Sequence, residues 1–377
     1  MLPETQVPLL PFHFFLCIFC DNPSPMEGRK MRSSFTALIV SVLTFVASSS
    51  ASEFFEIKKV ADGVYAAIGK PGVLSNGAFI VTEEAVIVVD THLRPSWARD
   101  LITEIRTITD KPVRYVINTH WHNDHTQGNQ AYRAAFPTGT EFIAHHHTRE
   151  DIIGIAIPSM KQNLNDLPSR LSQLKAQIQS RTRPDGTALT EADLAQVQRT
   201  LESQERYLSE LQSIEITLPT LTFEKSASIH SGSRRIDLLY FGEGHTRGDL
   251  FVYLADAKVL ISGDMLTGGV PFMRDAIPSA WGPTLEAVEK LDIATVIPGH
   301  GDVQTGKGRL QLVIRYLRDL GPAVQRHVAK GASLEETTSA VLQELSAYEK
   351  EFPNFRQSLT GPLGNITKTY EELKARK

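Results

Sequence analysis

Thr119-His120-Trp121-His122-Asn123-Asp124-His125-Thr126-Gln127-Gly128 decides how this 377-residue chain is read. Three imidazoles and a carboxylate fall within six positions, as H-x-H-x-D-H. That density of nitrogen and oxygen donors suits a borderline divalent cation, zinc above all. The run before it, Val113–Asn118, is apolar and rich in β-branched residues, so it predicts a buried strand. The donors therefore stand on the loop leaving the carboxyl end of a strand, where open α/β sheets place their sites. A surface accident would also give clustered histidines, but further donors recur downstream in the same strand-to-loop setting.

Those donors carry a specific resemblance. Gly242-Glu243-Gly244-His245-Thr246-Arg247-Gly248-Asp249, Ile261-Ser262-Gly263-Asp264, Ile297-Pro298-Gly299-His300-Gly301 and the earlier Val88-Val89-Asp90 follow the order of motifs in the metallo-β-lactamase superfamily, with H-x-H-x-D-H as its signature. The chain resembles that family across roughly two thirds of its length. The resemblance implies an α/β fold, an αβ/βα four-layer sandwich, and a dinuclear zinc centre with iron or manganese as substitutes. It assigns His120, His122 and His245 to one metal and Asp124, His125 and His300 to the other. Asp264 bridges them, and Asp90 holds a ligand ring from behind. Position alone gives Asp90 and Asp264 a plainer reading, as cap or turn residues after strands.

Such a pair, roughly 3.5–4 Å apart, shares a water and lowers its pKa, and the bridging hydroxide is the nucleophile. Asp124 would orient it and carry its proton. The implied enzyme is a metal-dependent hydrolase of an ester, lactone, thioester or amide. The redox branch has glutamate where this chain has His122. The cysteine-bearing β-lactamase subclass has cysteine at Asp264 and lysine at Thr267, so β-lactam recognition lacks its residues here. An aspartate bridge resembles glyoxalase II and lactonases. Two alternatives are a metal-dependent oxidoreductase on sulfur compounds and a non-catalytic metal-binding relay protein.

Composition bounds the rest. With 41% hydrophobic and 22% charged residues the chain can bury a full core. A net charge of -4 gives no electrostatic case for nucleic acid. The two cysteines, Cys17 and Cys20, lie in an apolar leader, so the folded part has neither disulfide nor thiolate ligand. Residues 1–51 are expected to be a leader. Arg29, Lys30 and Arg32 precede the apolar run Phe35–Val46 and the small residues Ala47–Ser52, with cleavage after Ala51. This layout predicts export, periplasmic or secreted, with no stable membrane anchor in the mature form. Met26 and Met31 are alternative starts, which would make residues 1–25 a mis-annotated extension.

A core domain is expected over residues 52–305. Short strands are expected at Gly63–Ile68, Ala78–Val81, Ala85–Val89, Glu141–Ala144, Leu218–Phe223, Arg235–Tyr240, Leu250–Leu254 and Val259–Ser262. Pro95–Thr107 reads as an amphipathic helix and Gln130–Phe136 as a short one. His145, His146 and His147 invite a metal reading, but surface or supporting roles fit better because the family's ligands lie elsewhere. Residues 159–217 nearly lack glycine. Leu164, Leu167, Leu171, Leu174 and Ile178, then Leu194, Val197, Leu201, Leu208 and Leu211, step by three and four. This predicts an inserted helical hairpin turning at Pro184-Asp185-Gly186, with Thr190 and Asp193 as a capping box. It packs on itself, closes over the site or forms a homodimer contact. Residues 306–377 are expected as helices on the core, at Leu310–Leu320, Ser333–Glu351 and Asn365–Ala375. The substrate, a small molecule, is set by loops around Gly268–Trp281 and by the hairpin.

Overall fold

The computed structural model describes residues 52–376. The expected leader, its cysteines and the alternative starts lie outside the described residues. Seven strands form the first sheet in chain order: β1 (Phe55–Ala61), β2 (Val64–Gly69), β3 (Gly77–Val81), β4 (Val86–Val89), β5 (Val113–Ile117), β6 (Glu141–His145) and β7 (Leu221–Phe223). β1 to β4 are antiparallel and β4 to β7 parallel. The second sheet holds β8 (Ser226–Ser231), β9 (Arg234–Leu239), β10 (Phe251–Leu254), β11 (Val259–Thr267), β12 (Thr295–His300) and β13 (Gln304–Thr305), in the order β13-β12-β11-β10-β9-β8.

Alternation along the strands makes the layers. In β4, Ile87 and Val89 turn inward to meet Leu238, Val252, Leu254 and Ile261 of the second sheet. Val86 and Val88 turn outward onto α1 (Pro95–Ile108), whose Trp97, Leu101 and Ile105 form one buried stripe. Each such side chain contributes roughly 1.5–3 kcal/mol by leaving water. Next along the chain come α2 (Asn123–Thr126), α3 (Asn129–Ala135) and α4 (His146–Asp151). The inserted pair is α5 (Ile157–Ser180) and α6 (Glu191–Leu211), preceded by a π-helical turn at Ile152–Ala156. The second sheet's outer face, with Phe251, Tyr253, Leu260 and Val296, packs under α7 (Pro278–Val288), α8 (Gly308–Ala329), α9 (Leu334–Glu344), α10 (Phe355–Leu359) and α11 (Asn365–Ala375). The result is an α/β sandwich of helix, sheet, sheet and helix.

The hairpin has the expected seam. Leu167 and Leu171 meet Leu201, Tyr207 and Leu211, and the Thr190–Asp193 capping box starts α6. It is also fastened to the core. Glu210 accepts from the Ser96 amide (2.9 Å) and hydroxyl (2.7 Å), and Tyr207 donates to Gln127 (3.1 Å).

Several boundaries differ for physical reasons. Alternating Glu56, Lys58 and Lys59 hide β1, an edge strand. Serines hide β8. α8 runs past Gly321-Pro322 because Val324 and Val328 still bury against the core. The expected helix to Glu351 stops at Glu344 and continues as a 3-10 turn. β11 does not end at Ser262. It continues to Thr267 through register breaks on either side of Gly263, whose φ is 50°. Asp264 therefore sits within an irregular strand, where a bulge re-aims its side chain.

Candidate metal centre

The loop after β5 and the short α2 hold His120, His122, Asp124 and His125. Facing them from the second sheet are His245, in the loop before β10, Asp264 in β11 and His300 at the end of β12. Donor atoms of His120, His122, His245 and Asp264 all lie within 4.8 Å of one another, and so do those of Asp124, His125 and His300. Asp264 reaches both groups. Its Oδ2 is 3.5 Å from His245 Nε2 and 3.1 Å from His300 Nε2, and its Oδ1 is 3.3 Å from His125 Nε2. Asp124 Oδ2 is 3.6 Å from His125 Nε2 and 3.4 Å from His300 Nε2. The sequence-nominated residues are thus brought together in two groups around one carboxylate.

Each inner ring is oriented by a partner on its far nitrogen, which fixes the tautomer. His125 Nδ1 donates to Asp90 Oδ2 at 2.7 Å. The Thr119 hydroxyl also donates to Asp90 Oδ2 (2.8 Å), so it accepts from His120 Nδ1 at 3.0 Å. His245 Nδ1 donates to the Phe272 carbonyl and His122 Nε2 to Asp275 Oδ2, both at 2.9 Å. Four ring nitrogens therefore face inward. His245 Nε2 and His122 Nδ1 stand 3.0 Å apart, close enough to share one proton or to take one cation. His120 Nε2, His125 Nε2 and Asp264 Oδ1 are buried without a hydrogen-bond partner. Facing lone pairs in a dry pocket repel one another, and a cation between them removes the repulsion. The donor set fits a divalent metal at each group, with only nitrogen and oxygen ligands.

Electrostatics agree with this geometry. Burial, with the neighbouring His125 and His122 rings, holds His120 well below the ordinary imidazole range. Burial, with the His122 ring, takes His245 down to about 3. Burial would also lower His125, but Asp264, Asp90 and Asp124 outweigh it and raise this ring well above the usual range. Burial opposes ionisation of Asp264, yet the His300 and His125 rings hold it well below the carboxylate range. The pocket stabilises positive charge on the side of Asp264 and excludes protons from the opposite rings.

Glycines keep the carboxylates close. A Cβ at Gly299 would stand 1.9 Å from Asp264 Oδ1. Asn76 donates to the Pro298 carbonyl (3.0 Å) and the Gly301 carbonyl (2.7 Å), pinning the His300 loop. Asp275 and Thr119 were also missed as supports. Asp275 meets His122 across 153 positions, and no local pattern signals that contact. His145 lies apart, stacked on Tyr240 at 3.9 Å. His146, His147 and Glu150 form a separate group, but Arg247 already donates to His147 (3.1 Å) and pairs with Glu150 (3.1 Å). Thr246 donates to buried Asp249 through its amide (2.7 Å) and hydroxyl (2.8 Å).

Residues 71–151 and 173–300 match the metallo-beta-lactamase superfamily model, and the chain belongs to that superfamily. It is 24% identical over 251 residues to a linear primary-alkylsulfatase of Pseudomonas sp. (strain ATCC 19151), covering 64% of this chain and 44% of that protein. It is 26% identical over 116 residues to the acyl-coenzyme A thioesterase MBLAC2 of Bos taurus, covering 29% of this chain and 40% of that protein. The chain thus spans less than half the length of these two relatives. A metallo-beta-lactamase from Pontibacter korlensis has the same fold, with a TM-score of 0.50 and 18% identity, over 70% of this chain and 99% of that one.

Proposed function

We propose that the protein is an exported dinuclear zinc hydrolase acting on an ester, lactone, thioester or amide. The observation that carries this reading is the convergence of four inward imidazole nitrogens around the shared carboxylate Asp264. Bound metals would supply Lewis acidity for the scissile group and lower the pKa of a water between them. Asp264 sets the spacing of the two groups through its two oxygens. Asp124, whose side chain keeps 21% of its exposure, faces the cleft and is the candidate to hold and pass the proton. Asp90 and Asp275 keep His125 and His122 in register, so that no ring need turn during the reaction. Hydrolase relatives within the superfamily support the reaction class. The basic, apolar and small-residue order of residues 29–52 supports export. Among the described residues no helix is long and apolar enough to cross a membrane.

The test is turnover by the purified protein on thioester, lactone, phosphodiester and chromogenic cephalosporin substrates, with chelator and after zinc restoration. Chelator-sensitive turnover of one class, restored by zinc, is expected. Absence of any turnover with two metals bound, or activity that follows iron instead of zinc, would overturn the reading.

A further inference from the structure

Beside Asp124 and His122 opens a cleft of about 690 Å³. Its far wall is one face of α5. Ser159, Gln162, Asn163, Asp166, Ser169 and Arg170 recur at helical spacing on that face, while Leu164, Leu167, Leu171 and Leu174 turn to the hairpin seam. The same helix thus packs with its leucines and presents hydrogen-bonding groups to the site. Only Leu74, Leu93 and Trp121 line the cleft with apolar side chains, against ten polar ones. Two cations flank it. Arg170 donates to Asn163 two turns earlier in α5, and Arg274 to Asp275 (2.7 Å), which in turn holds His122.

The superfamily match omits residues 152–172, the stretch that supplies this wall. The α5 wall thus lies largely outside the part of the chain that the superfamily model describes.

We infer that the α5 face and Arg274 form a subsite for a polar, anionic part of the substrate, an ester or thioester bearing a carboxylate, phosphate or sulfate away from the scissile bond. A long alkyl chain would leave ten polar groups without partners and bury little apolar surface in return. An oxyanion takes the planar fork of a guanidinium in bidentate fashion. Gln162 already donates to Asp166 (2.8 Å) and Asn163 already accepts from Arg170, so the guanidiniums of Arg170 and Arg274 are the groups that read the charge. This inference rests on the hydrolase reading given above.

The experiment uses the zinc-loaded full chain and three substrate pairs. They are a coenzyme A thioester against its N-acetylcysteamine counterpart, an aryl ester with a terminal carboxylate against its methyl ester, and a long-chain alkyl sulfate against a short polar sulfate. Each is measured with wild type and with Arg170→Gln, an exposed position distant from the metal ligands in sequence. Anionic members should be preferred in the first two pairs, and the short sulfate in the third. Arg170→Gln should raise KM for the anionic members of the first two pairs roughly tenfold, leaving kcat, metal content and their neutral counterparts unchanged. The carboxylate and phosphate arms tell which oxyanion is read, and the sulfate pair tells whether the cleft accepts an alkyl chain. An equal effect on charged and neutral members, or preference for the long alkyl chain, would overturn the subsite. Failure to turn over any substrate with zinc bound would instead strike the hydrolase reading itself.

Discussion

Asp90→Asn is the substitution that separates the two metal groups. Asp90 is buried and accepts three hydrogen bonds: from the Thr119 amide (2.8 Å), the Thr119 hydroxyl (2.8 Å) and His125 Nδ1 (2.7 Å). Its φ of 60° is one that asparagine adopts readily, so the backbone should not resist the change. An amide has one acceptor oxygen, and either orientation sets its NH2 against a donor. If the NH2 faces His125, that ring must move its proton to Nε2, which stands 3.3 Å from Asp264 Oδ1, and can no longer ligate there. If it faces the Thr119 amide, two buried donors collide at a cost of roughly 1–3 kcal/mol. Loss of a ring's outer partner typically lowers metal affinity about 10–100-fold, or roughly 1.4–2.8 kcal/mol. The loss should be larger at the group holding His125, whose ring bonds Asp90 directly, than at the other, where His120 meets Asp90 only through the Thr119 hydroxyl. His122 and His245 are held by Asp275 and the Phe272 carbonyl, which the substitution does not touch. Zinc titration against a chromogenic chelator would resolve two sites in wild type and weaken the His125 site more than the other in the variant. Denaturation of the metal-free variant would establish that it still folds. Two sites of wild-type affinity in folded protein, or equal weakening of both, would refute this account of ring orientation.

Gly299→Ala should drive a Cβ into Asp264 Oδ1 and abolish binding at both groups, with activity falling at least about a hundredfold; retention of two zinc ions would sink the crowding argument. Asp249 is raised to about 8, chiefly by burial, so the folded state keeps its proton where the unfolded chain releases it. That contribution to stability is full below the ordinary carboxyl range and is lost as pH rises toward about 8. Asp249→Asn should therefore gain on wild type between pH 5 and about 8 when the metal-free proteins are denatured in urea, and a flat difference would contradict it. Glu210→Ala removes both bonds to Ser96 and should weaken docking of α6 by roughly 1–2 kcal/mol. Faster amide exchange over residues 191–211 at unchanged metal content is the expected signature, and unchanged exchange would argue that the apolar seam alone holds the hairpin.

What could be read from the residues follows from how local each signal is. His120, His122, Asp124 and His125 share one loop, and His245, Asp264 and His300 each belong to a short run tied to a strand, so their types and order were legible. The seam of α5 was legible because leucines at intervals of three and four have one structural meaning. The polar face of that helix had the same period, but its aim at the cleft depends on how Glu210 and Tyr207 dock the hairpin. Asn76 was hidden by the plainer meaning of Asn-Gly as a turn. The path of β11 was hidden because a bulge at Gly263 leaves no mark in hydropathy. Asp275 lay beyond reach, since its only claim is a contact with a distant ring.

The division of donors between the sheets gives the centre a structural part as well as a chemical one. The first sheet delivers His120, His122, Asp124 and His125; the second delivers His245, Asp264 and His300. Without a cation, His122 Nδ1 and His245 Nε2 face each other at 3.0 Å across that junction, a contact that a single proton bridges. The inter-sheet core of Ile87, Val89, Leu238 and Val252 then holds the layers together. A bound metal would take the same pair as ligands and tie one sheet to the other. Binding free energy then becomes folding free energy, in proportion to RT ln(1 + [metal]/Kd). Chelation should therefore lower the unfolding temperature of the whole sandwich as one transition. A loop that merely frayed around the histidines would leave that temperature in place.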